Sequence, residues 1–263
     1  MSRWIVSHVP SGLILAGLMV LIAGGALGVS IVVRRRFPGL TGDAHNDVLK
    51  FTYGFIGFVY AFFIGFVVSS MWGQINTTDG DARTEGATAV QMATDAARFG
   101  QADAQRIRLG LADYANAAIA EWSAHGDTRS PAADAALTQL YTTYEQVHPA
   151  TETQKNLVAS SLSNLDTISQ ARTVRLLTAR EDTGPPWPLW VVIFLTSALV
   201  LGTAITYGVE NHRMHYPMVL TVGLIVAANL FLILELSHPY AGEIATTPDP
   251  LREVVRVTSQ QAP

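Results

Sequence analysis

The side chains that could support chemistry are few and widely separated along this chain of 263 residues. His212 and His215 are three positions apart, but no third metal ligand lies nearby, and we interpret them as part of a solvated loop. The sequence has no cysteine, and we find no nucleophile elbow, zincin motif or phosphate-binding loop. We therefore expect a protein that is not an enzyme and that has no metal and no cofactor.

The composition indicates which solvent surrounds the chain. Hydrophobic residues make up 49% of it and charged residues only 14%, whereas a soluble protein has about 25% charged residues. The formal net charge of −4 argues against a nucleic-acid partner. These figures favour a protein whose main partner is the lipid bilayer.

Four hydrophobic stretches without charged side chains are long enough to cross a membrane. They are residues 13–33, 51–71, 189–209 and 216–234. A helix needs about 20 apolar residues to cross about 30 Å of hydrocarbon, and a charge near its centre would cost several kcal/mol. The pattern predicts an all-α protein with four transmembrane helices arranged in two hairpins.

The basic residues predict the orientation of these helices. The segments 34–50 and 210–215 carry five Lys or Arg residues together, against three in the two termini. Three of the five, at positions 34–36, follow the first stretch directly, so we expect a retained anchor and not a cleaved signal peptide. Since short cytoplasmic loops are enriched in basic residues, we predict a plasma (inner) membrane protein with both termini and the loop 72–188 extracytoplasmic.

The long loop has the composition of a helical bundle. It contains 14 acidic and 9 basic residues, and apolar side chains recur in it at helical spacing. Three stripes of this kind are Ile107, Leu111, Tyr114, Ala118 and Trp122; Leu137, Leu140, Tyr144 and Val147; and Val158, Leu162, Leu165, Ile168 and Ala171. We interpret them as the core of three or four packed amphipathic helices.

The domain limits follow from these changes in composition. We predict an N-terminal transmembrane hairpin over 1–72, an extracytoplasmic helical domain over 73–186, a C-terminal hairpin over 187–236 and an extracytoplasmic tail over 237–263. A further helical pattern at 84–99 would continue the second transmembrane helix, with an interruption expected at 76–80.

The second hydrophobic stretch combines many aromatic rings with a row of small residues. Its candidates for pore lining or helix packing are Phe55, Phe58, Phe62, Gly57, Ala61 and Gly65. If subunits surround an axis, the phenylalanines would form a hydrophobic constriction. The small residues would let another helix approach, either within one protomer or across a subunit interface. Phenylalanines that face lipid would give the same pattern.

The fourth stretch and its outer end have three polar candidates: Asn229 lies within the stretch, and Glu235 and His238 lie at its outer end. A polar side chain in a membrane helix is a functional candidate by default. A helix–helix hydrogen bond explains Asn229 equally well.

Five short motifs follow one another over about residues 45–255. They are the aromatic stretch 53–72, Glu85 with Ala87, Glu121-Trp122 after Tyr114, Arg172-x-x-Arg175-Leu176, and the closing run Leu236-Ser237-His238-Pro239-Tyr240-Ala241-Gly242. In this order they resemble the bestrophin-like membrane protein family, which contains domain of unknown function 4239. The resemblance implies a membrane location and an oligomeric channel, and the family label suggests anion conduction by analogy.

The closing motif departs from the pattern of that family. The family usually resembles Leu-Asp-x-Pro-Phe-x-Gly, whereas Ser237 and Tyr240 replace the acid and the phenylalanine here. Glu235 is the neighbouring carboxylate that could substitute for the missing acid.

Four charged residues of the resemblance could meet inside the helical domain. Glu85, Glu121, Arg172 and Arg175 would pair across the bundle either as a structural ion-pair network or as a vestibule that selects ions. Both interpretations remain open from the sequence.

Two functions fit this pattern. The first is a multi-pass membrane protein that forms a homo-oligomeric, bestrophin-like ion channel. The alternative is a membrane-anchored sensor or scaffold whose outer bundle binds a ligand or a protein partner.

Overall fold

The computed structural model describes residues 2–37, 46–123, 128–180, 183–207 and 212–260. Within these ranges the regular elements are all helical, which confirms the predicted all-α class. The helices are α1 (Ser2–His8), α2 (Ser11–Arg36), α3 (Asn46–Asp95), α4 (Gln101–Ser123), α5 (Pro131–Glu145), α6 (Glu152–Arg180), α7 (Trp187–Thr206), α8 (His212–Leu236) and α9 (Asp249–Gln260), with a 3-10 turn at Ala96–Arg98.

Four of the described helices, α2, α3, α7 and α8, are long and apolar enough to cross a membrane. Each coincides with one of the four predicted stretches. Only 17% to 28% of the residues in their most apolar windows are buried within the chain. Most residues of these windows are therefore at least partly exposed, as in helices surrounded by lipid.

The third helix runs without a break from Asn46 to Asp95. The expected interruption at 76–80 is wrong. Side chains in this stretch support the helical backbone, because the Thr78 hydroxyl donates to the carbonyl of Ile75 at 2.8 Å and Arg83 pairs with Asp79 one turn earlier at 2.6 Å. Such local contacts outweigh the weak helix propensity of the intervening Gly80.

The chain divides into two compact units. One unit comprises Met1–Gly73 and Thr183–Ile244, and we call it the spanning unit. The other comprises Gln74–Asp182 and Ala245–Pro263, and we call it the polar unit. Residues after α8 thus contribute to both units.

The spanning unit is held together by close packing of α2 against α8. Ala26 of α2, Ile205 of α7 and Val219 of α8 form one buried apolar cluster. A Cβ atom on Gly223 would lie 2.7 Å from the Cα of Ala23, so the two helix backbones approach too closely for any larger residue. Small residues at such a crossing are typical of membrane helices.

This crossing gives a first prediction. Gly223→Ala should destabilise the spanning unit by about 1–3 kcal/mol, because the added methyl group meets backbone and the helices must separate. Gly24→Ala is the matched control, since a Cβ on Gly24 meets nothing within 4 Å. Thermal unfolding of both variants in detergent measures the difference, and equal midpoints would contradict the packing.

The polar unit consists of helices, and its predicted core stripes are largely buried. Most residues of the three predicted stripes are buried, with Val158 and Leu162 half-buried. The C-terminal helix α9 also belongs to this core through buried Leu251, Val254 and Thr258. Its start is close to α3, because a Cβ on Gly86 would lie 2.5 Å from Pro250.

Candidate functional site

The membrane part of α3 has one buried face and one exposed aromatic face. Tyr60, Ile64, Val67 and Met71 are buried, with exposed fractions of 2% to 6%. The phenylalanines on the opposite face, Phe51, Phe55, Phe58, Phe62 and Phe66, have exposed fractions of 60% to 78%. We call these five residues the phenylalanine face. The sequence-predicted Phe55, Phe58 and Phe62 therefore lie together on a surface that no described residue of the same chain covers.

The small residues of α3 are also open. A Cβ atom on Gly57 or Gly65 would meet nothing within 4 Å, and Ala61 is exposed. The row of small residues beside the phenylalanine face therefore packs against no described helix of its own protomer. Gly24 and Gly28 on α2 are open in the same way.

The polar candidates of α8 occupy different surroundings. Glu235 is 1% exposed, and its Oε1 accepts a hydrogen bond of 2.9 Å from the hydroxyl of Ser11. Buried His238 lies three residues later and donates its backbone N–H to the Glu235 carbonyl at 3.3 Å. Asn229 is half-buried, nearly two helical turns earlier. The carboxylate thus connects the start of α2 to the end of α8.

The histidine pair differs from the expected solvated loop. Both histidines lie in the first turn of α8, and His215 is fully buried, with its Nε2 3.1 Å from the Ser30 hydroxyl of α2. The expectation fails because it was based on the polar neighbours of His215 and not on the close packing of α2 with α8. Among the described residues, no group of three or more His, Cys, Asp or Glu side chains could hold a metal ion.

The four charged candidates of the polar unit come together in its core. Arg172 donates from Nη2 to Glu121 Oε2 at 2.6 Å and from Nε to Oε1 at 3.1 Å. Arg175 bridges both acids, with Nε 3.2 Å from Glu85 Oε2 and Nη2 3.1 Å from Glu121 Oε1. All four residues are at most 2% exposed. We call this set the buried charge network, and it joins α3, α4 and α6.

Neighbouring groups complete the network. The Tyr114 hydroxyl donates to Glu85 Oε1 at 2.7 Å, and the Ser130 backbone N–H donates to Glu121 Oε2 at the same distance. Arg172 also donates from Nη1 to Asp134 Oδ1 at 2.7 Å, which brings α5 into the network. The Arg175 guanidinium lies 4.7 Å from the centre of the Trp122 ring, at a distance suited to a cation–π contact.

These contacts favour the ionised form of Glu121. Burial alone would raise the pKa of Glu121, but hydrogen bonds from Arg172 and Ser130 and the charges of Arg172 and Arg175 lower that pKa below its usual value. Burial and the neighbouring Glu85 carboxylate raise the pKa of Tyr114 well above its usual value, so the phenol remains a hydrogen-bond donor.

The sequence interpretation missed two contributors. Tyr114 belongs to one of the predicted core stripes, and Asp134 is not among the candidates that the sequence predicts. Both also bind network partners. The available signal was the position of each residue in the sequence. Tyr114 lies seven residues before Glu121 and so shares a helical face with it. Asp134 lies four residues after Ser130, near the start of the next helix.

The match to a family model decides the relationship. Residues 20–251 match the model of the bestrophin-like domain, which is most of the chain. The chain belongs to the bestrophin-like family. No curated protein matches this bestrophin-like chain.

Solved structures agree with this membership at the level of the fold. Crystal structures of two single-substitution variants of a bacterial bestrophin homologue from Klebsiella pneumoniae are similar to the bestrophin-like chain. The first has a TM-score of 0.69 and 13% identity, over 93% of this chain and 99% of that one. The second has a TM-score of 0.67 and 14% identity, over 94% and 98%. The fold of this membrane protein is therefore the fold of these homologues.

The closing motif of this bestrophin-like chain folds back on Glu235. Gly242 has a φ of +97°, in the region that favours glycine. A Cβ atom on it would lie 2.7 Å from Glu235 Oε2 and 2.7 Å from Val6 Cγ1. Ser237, which replaces the acid of the family pattern, donates its hydroxyl to the Ile233 carbonyl at 2.6 Å. The buried carboxylate beside the motif is that of Glu235.

Proposed function

We propose that this chain assembles into a homo-oligomeric ion channel whose pathway is lined by the phenylalanine face of α3. The observation that carries the proposal is the exposure of Phe58, Phe62 and Phe66, at 70%, 72% and 69%, along one side of a membrane helix. Residues four apart are stacked about 6 Å apart along a helix. Rings from several subunits would form successive hydrophobic constrictions, which control ion passage by excluding water.

The proposed assembly uses the open small residues of α3. Gly57, Ala61 and Gly65 have space for the backbone of a neighbouring helix, and no described helix of the same protomer occupies it. Close approach at small residues is a common mode of helix association in membranes. Membership of the bestrophin-like family supports the same proposal.

We assign the buried charge network a structural role in the proposed channel. An ion in a vestibule must reach the charges that select it, but Glu85, Glu121, Arg172 and Arg175 are at most 2% exposed. Their charges are satisfied by one another, as buried ions require. The activity proposed is conduction and includes no catalytic step.

The proposed topology places both termini and the loop 72–188 outside the cell membrane. Its support is the excess of Lys and Arg in the segments 34–50 and 210–215. Because the chain has no cysteine, a single cysteine at exposed Asn116 can be tested in intact cells with a membrane-impermeant maleimide. Labelling without permeabilisation is expected. Labelling only after permeabilisation would contradict the proposed topology and favour the opposite orientation.

Reconstitution tests the proposed activity. Purified protein should run as a symmetric multimer and should carry ion flux in liposomes. A monomer without flux would contradict the channel and would favour a membrane-anchored sensor or scaffold. The identity of the permeant ion follows from reversal potentials under chloride and potassium gradients.

A further inference from the structure

The last turn of α2 contains three consecutive arginines, Arg34, Arg35 and Arg36, which we call the arginine triplet. Arg34 is half-buried, whereas Arg35 and Arg36 are exposed. The charge-free stretch 13–33 precedes them directly. It rises about 31 Å along a helix and so crosses the hydrocarbon core of a bilayer, which is about 30 Å thick. The arginine triplet therefore begins at the depth of the lipid headgroups.

The described part of the chain supplies no carboxylate to the arginine triplet. Helix α2 contains no Asp or Glu, and no salt bridge joins the triplet to a described acidic side chain. In the polar unit, by contrast, Arg83, Arg106 and Arg252 each pair with an aspartate of their own helix. The C-terminal end of a helix carries about half a negative charge. This balances only a small part of the three positive charges.

The end of the spanning unit that carries the triplet is positive as a whole. Arg34 contacts Tyr207 and Ser30 contacts His215, so the ends of α2 and α7 lie beside the start of α8. The segments 34–50 and 210–215 carry five basic and three acidic residues, while the whole chain has a net charge of −4. A local positive surface in an acidic chain favours an anionic partner.

Arg34 lies against the end of α7. Its Nη2 donates to the Tyr207 carbonyl at 3.5 Å, which is long for a hydrogen bond of this type. Its Nε is buried and has no hydrogen-bond partner among the described residues. A buried donor without an acceptor is unfavourable. The guanidinium group of Arg34 therefore has the capacity for a further acceptor.

Aromatic side chains lie at the same level of the spanning unit. The ring centres of Tyr53 and Tyr207 are 5.9 Å apart, and Phe37, directly after the triplet, is 55% exposed. Tyrosine is typical of the boundary between membrane and water. An exposed phenyl ring beside three arginines suits the layer where headgroups meet acyl chains. This surface thus fits a ligand that has an anionic head and apolar chains.

A phosphate is the anionic group that fits this surface. The planar guanidinium group matches phosphate oxygens in geometry, and such pairs are among the stronger hydrogen-bonded contacts. Arginines that directly follow a membrane helix attract anionic lipids.

We propose that the arginine triplet and the end of α7 bind the headgroup phosphate of an anionic phospholipid. The phosphate accepts hydrogen bonds from Arg34, Arg35 and Arg36 add attractive charge, and the acyl chains lie in the bilayer beside Phe37. The proposal requires a membrane location but no conduction, so it is tested separately from the proposed channel.

A matched pair of lipids tests the proposal on the full-length protein in a neutral detergent. The probes are phosphatidylglycerol and phosphatidylcholine with identical acyl chains, which share the phosphate and differ in net charge. Native mass spectrometry of a lipid titration gives the Kd of the first bound lipid. Phosphatidylglycerol should bind at least about tenfold more tightly, because the choline group neutralises the phosphate of the other lipid.

Single substitutions locate the site. Arg34→Gln and Arg35→Gln should each weaken binding of phosphatidylglycerol about fivefold, which corresponds to about 1 kcal/mol per arginine. Arg34→Lys retains the charge and should weaken it less than Arg34→Gln. Because Arg35 is exposed, Arg35→Gln tests the site even if Arg34→Gln does not fold.

Arg256→Gln is the matched control. Arg256 is 67% exposed on α9, pairs with Glu253 and belongs to the polar unit. The substitution changes the net charge by the same amount as Arg34→Gln. It should leave the Kd of phosphatidylglycerol at the parent value.

Several results would overturn the proposal. Equal binding of the two lipids, or unchanged binding in both Arg34→Gln and Arg35→Gln, would exclude recognition of an anionic headgroup at the triplet. Equal weakening by Arg256→Gln would reduce the effect to general attraction by the charge of the protein. Displacement of the lipid by an equal concentration of glycerophosphoglycerol, the same headgroup without acyl chains, would make this a site for soluble phosphate diesters.

Discussion

Arg172→Met is expected to lower the free energy of unfolding of the polar unit by about 3–5 kcal/mol, because it leaves a buried carboxylate without its main partner. Arg172 makes two of the contacts to Glu121, at 2.6 Å and 3.1 Å, and both side chains are at most 2% exposed. Methionine retains much of the volume, so the loss reflects the charge and not a large cavity. Chemical unfolding of the full-length protein in detergent, followed by near-UV circular dichroism, measures the change.

The control is Arg106→Met on the surface of the same unit. Arg106 is 49% exposed and pairs with Asp103, and exposed pairs contribute about 0–1 kcal/mol. In protein that already carries Arg172→Met, adding Glu121→Leu should lower the free energy of unfolding by less than Glu121→Leu does in the parent protein. The reason is that the second change removes the buried carboxylate that has lost its partner. Similar losses from Arg172→Met and Arg106→Met would contradict a network that holds the four helices together.

Phe62→Ala is expected to raise ion flux through the reconstituted protein by about tenfold, equivalent to a barrier lowered by about 1.4 kcal/mol. The phenyl ring is 72% exposed on α3. In the proposed channel it narrows the ion pathway and excludes water from it. Replacing it with a methyl group widens the constriction and admits water. Dye-based flux assays in liposomes of matched protein content measure the rate.

The matched control for this change is Phe194→Ala. Phe194 is 55% exposed on α7, another apolar helix. In the proposed assembly it faces lipid, so flux should stay at the parent level. If both variants change the flux equally, or if Phe62→Ala leaves it unchanged, the phenylalanine face does not line the pathway.

The positions of the membrane helices and the core stripes could be predicted because each depends on a local pattern. Four charge-free stretches correspond to α2, α3, α7 and α8. Apolar residues at helical spacing, such as Ile107, Leu111 and Tyr114, are buried. The period and the length of an apolar pattern identify a helix and its buried face without knowledge of neighbouring helices.

Features that depend on particular side-chain contacts could not be predicted in the same way. The burial of His215 depends on Ser30, 185 positions earlier in the sequence. The continuity of α3 through Gly80 depends on side-chain contacts that local propensity does not include. The helix α9 had a local signal that went unused, since Leu251, Val254 and Thr258 share one helical face and are buried.

The buried charge network could be predicted from the sequence in part. Arg172 and Arg175 lie four and seven residues after Ile168, so they continue a core stripe with charged residues. A charge at a core position requires a buried partner, so the stripe by itself indicates a network. The choice between a supporting network and an ion vestibule depends on exposure, and only the folded arrangement gives the exposed fraction of each side chain.

The most direct test of the channel is a single-channel recording from protein with a cysteine at position 62. The parent chain has no cysteine, so Phe62→Cys supplies one thiol per subunit for a water-soluble methanethiosulfonate reagent. The proposed lining predicts unitary currents that fall in steps as the cationic reagent attaches, while Phe194→Cys shows no response. Absence of unitary currents, or currents in both variants that the reagent leaves unchanged, would contradict an ion pathway along this face of α3.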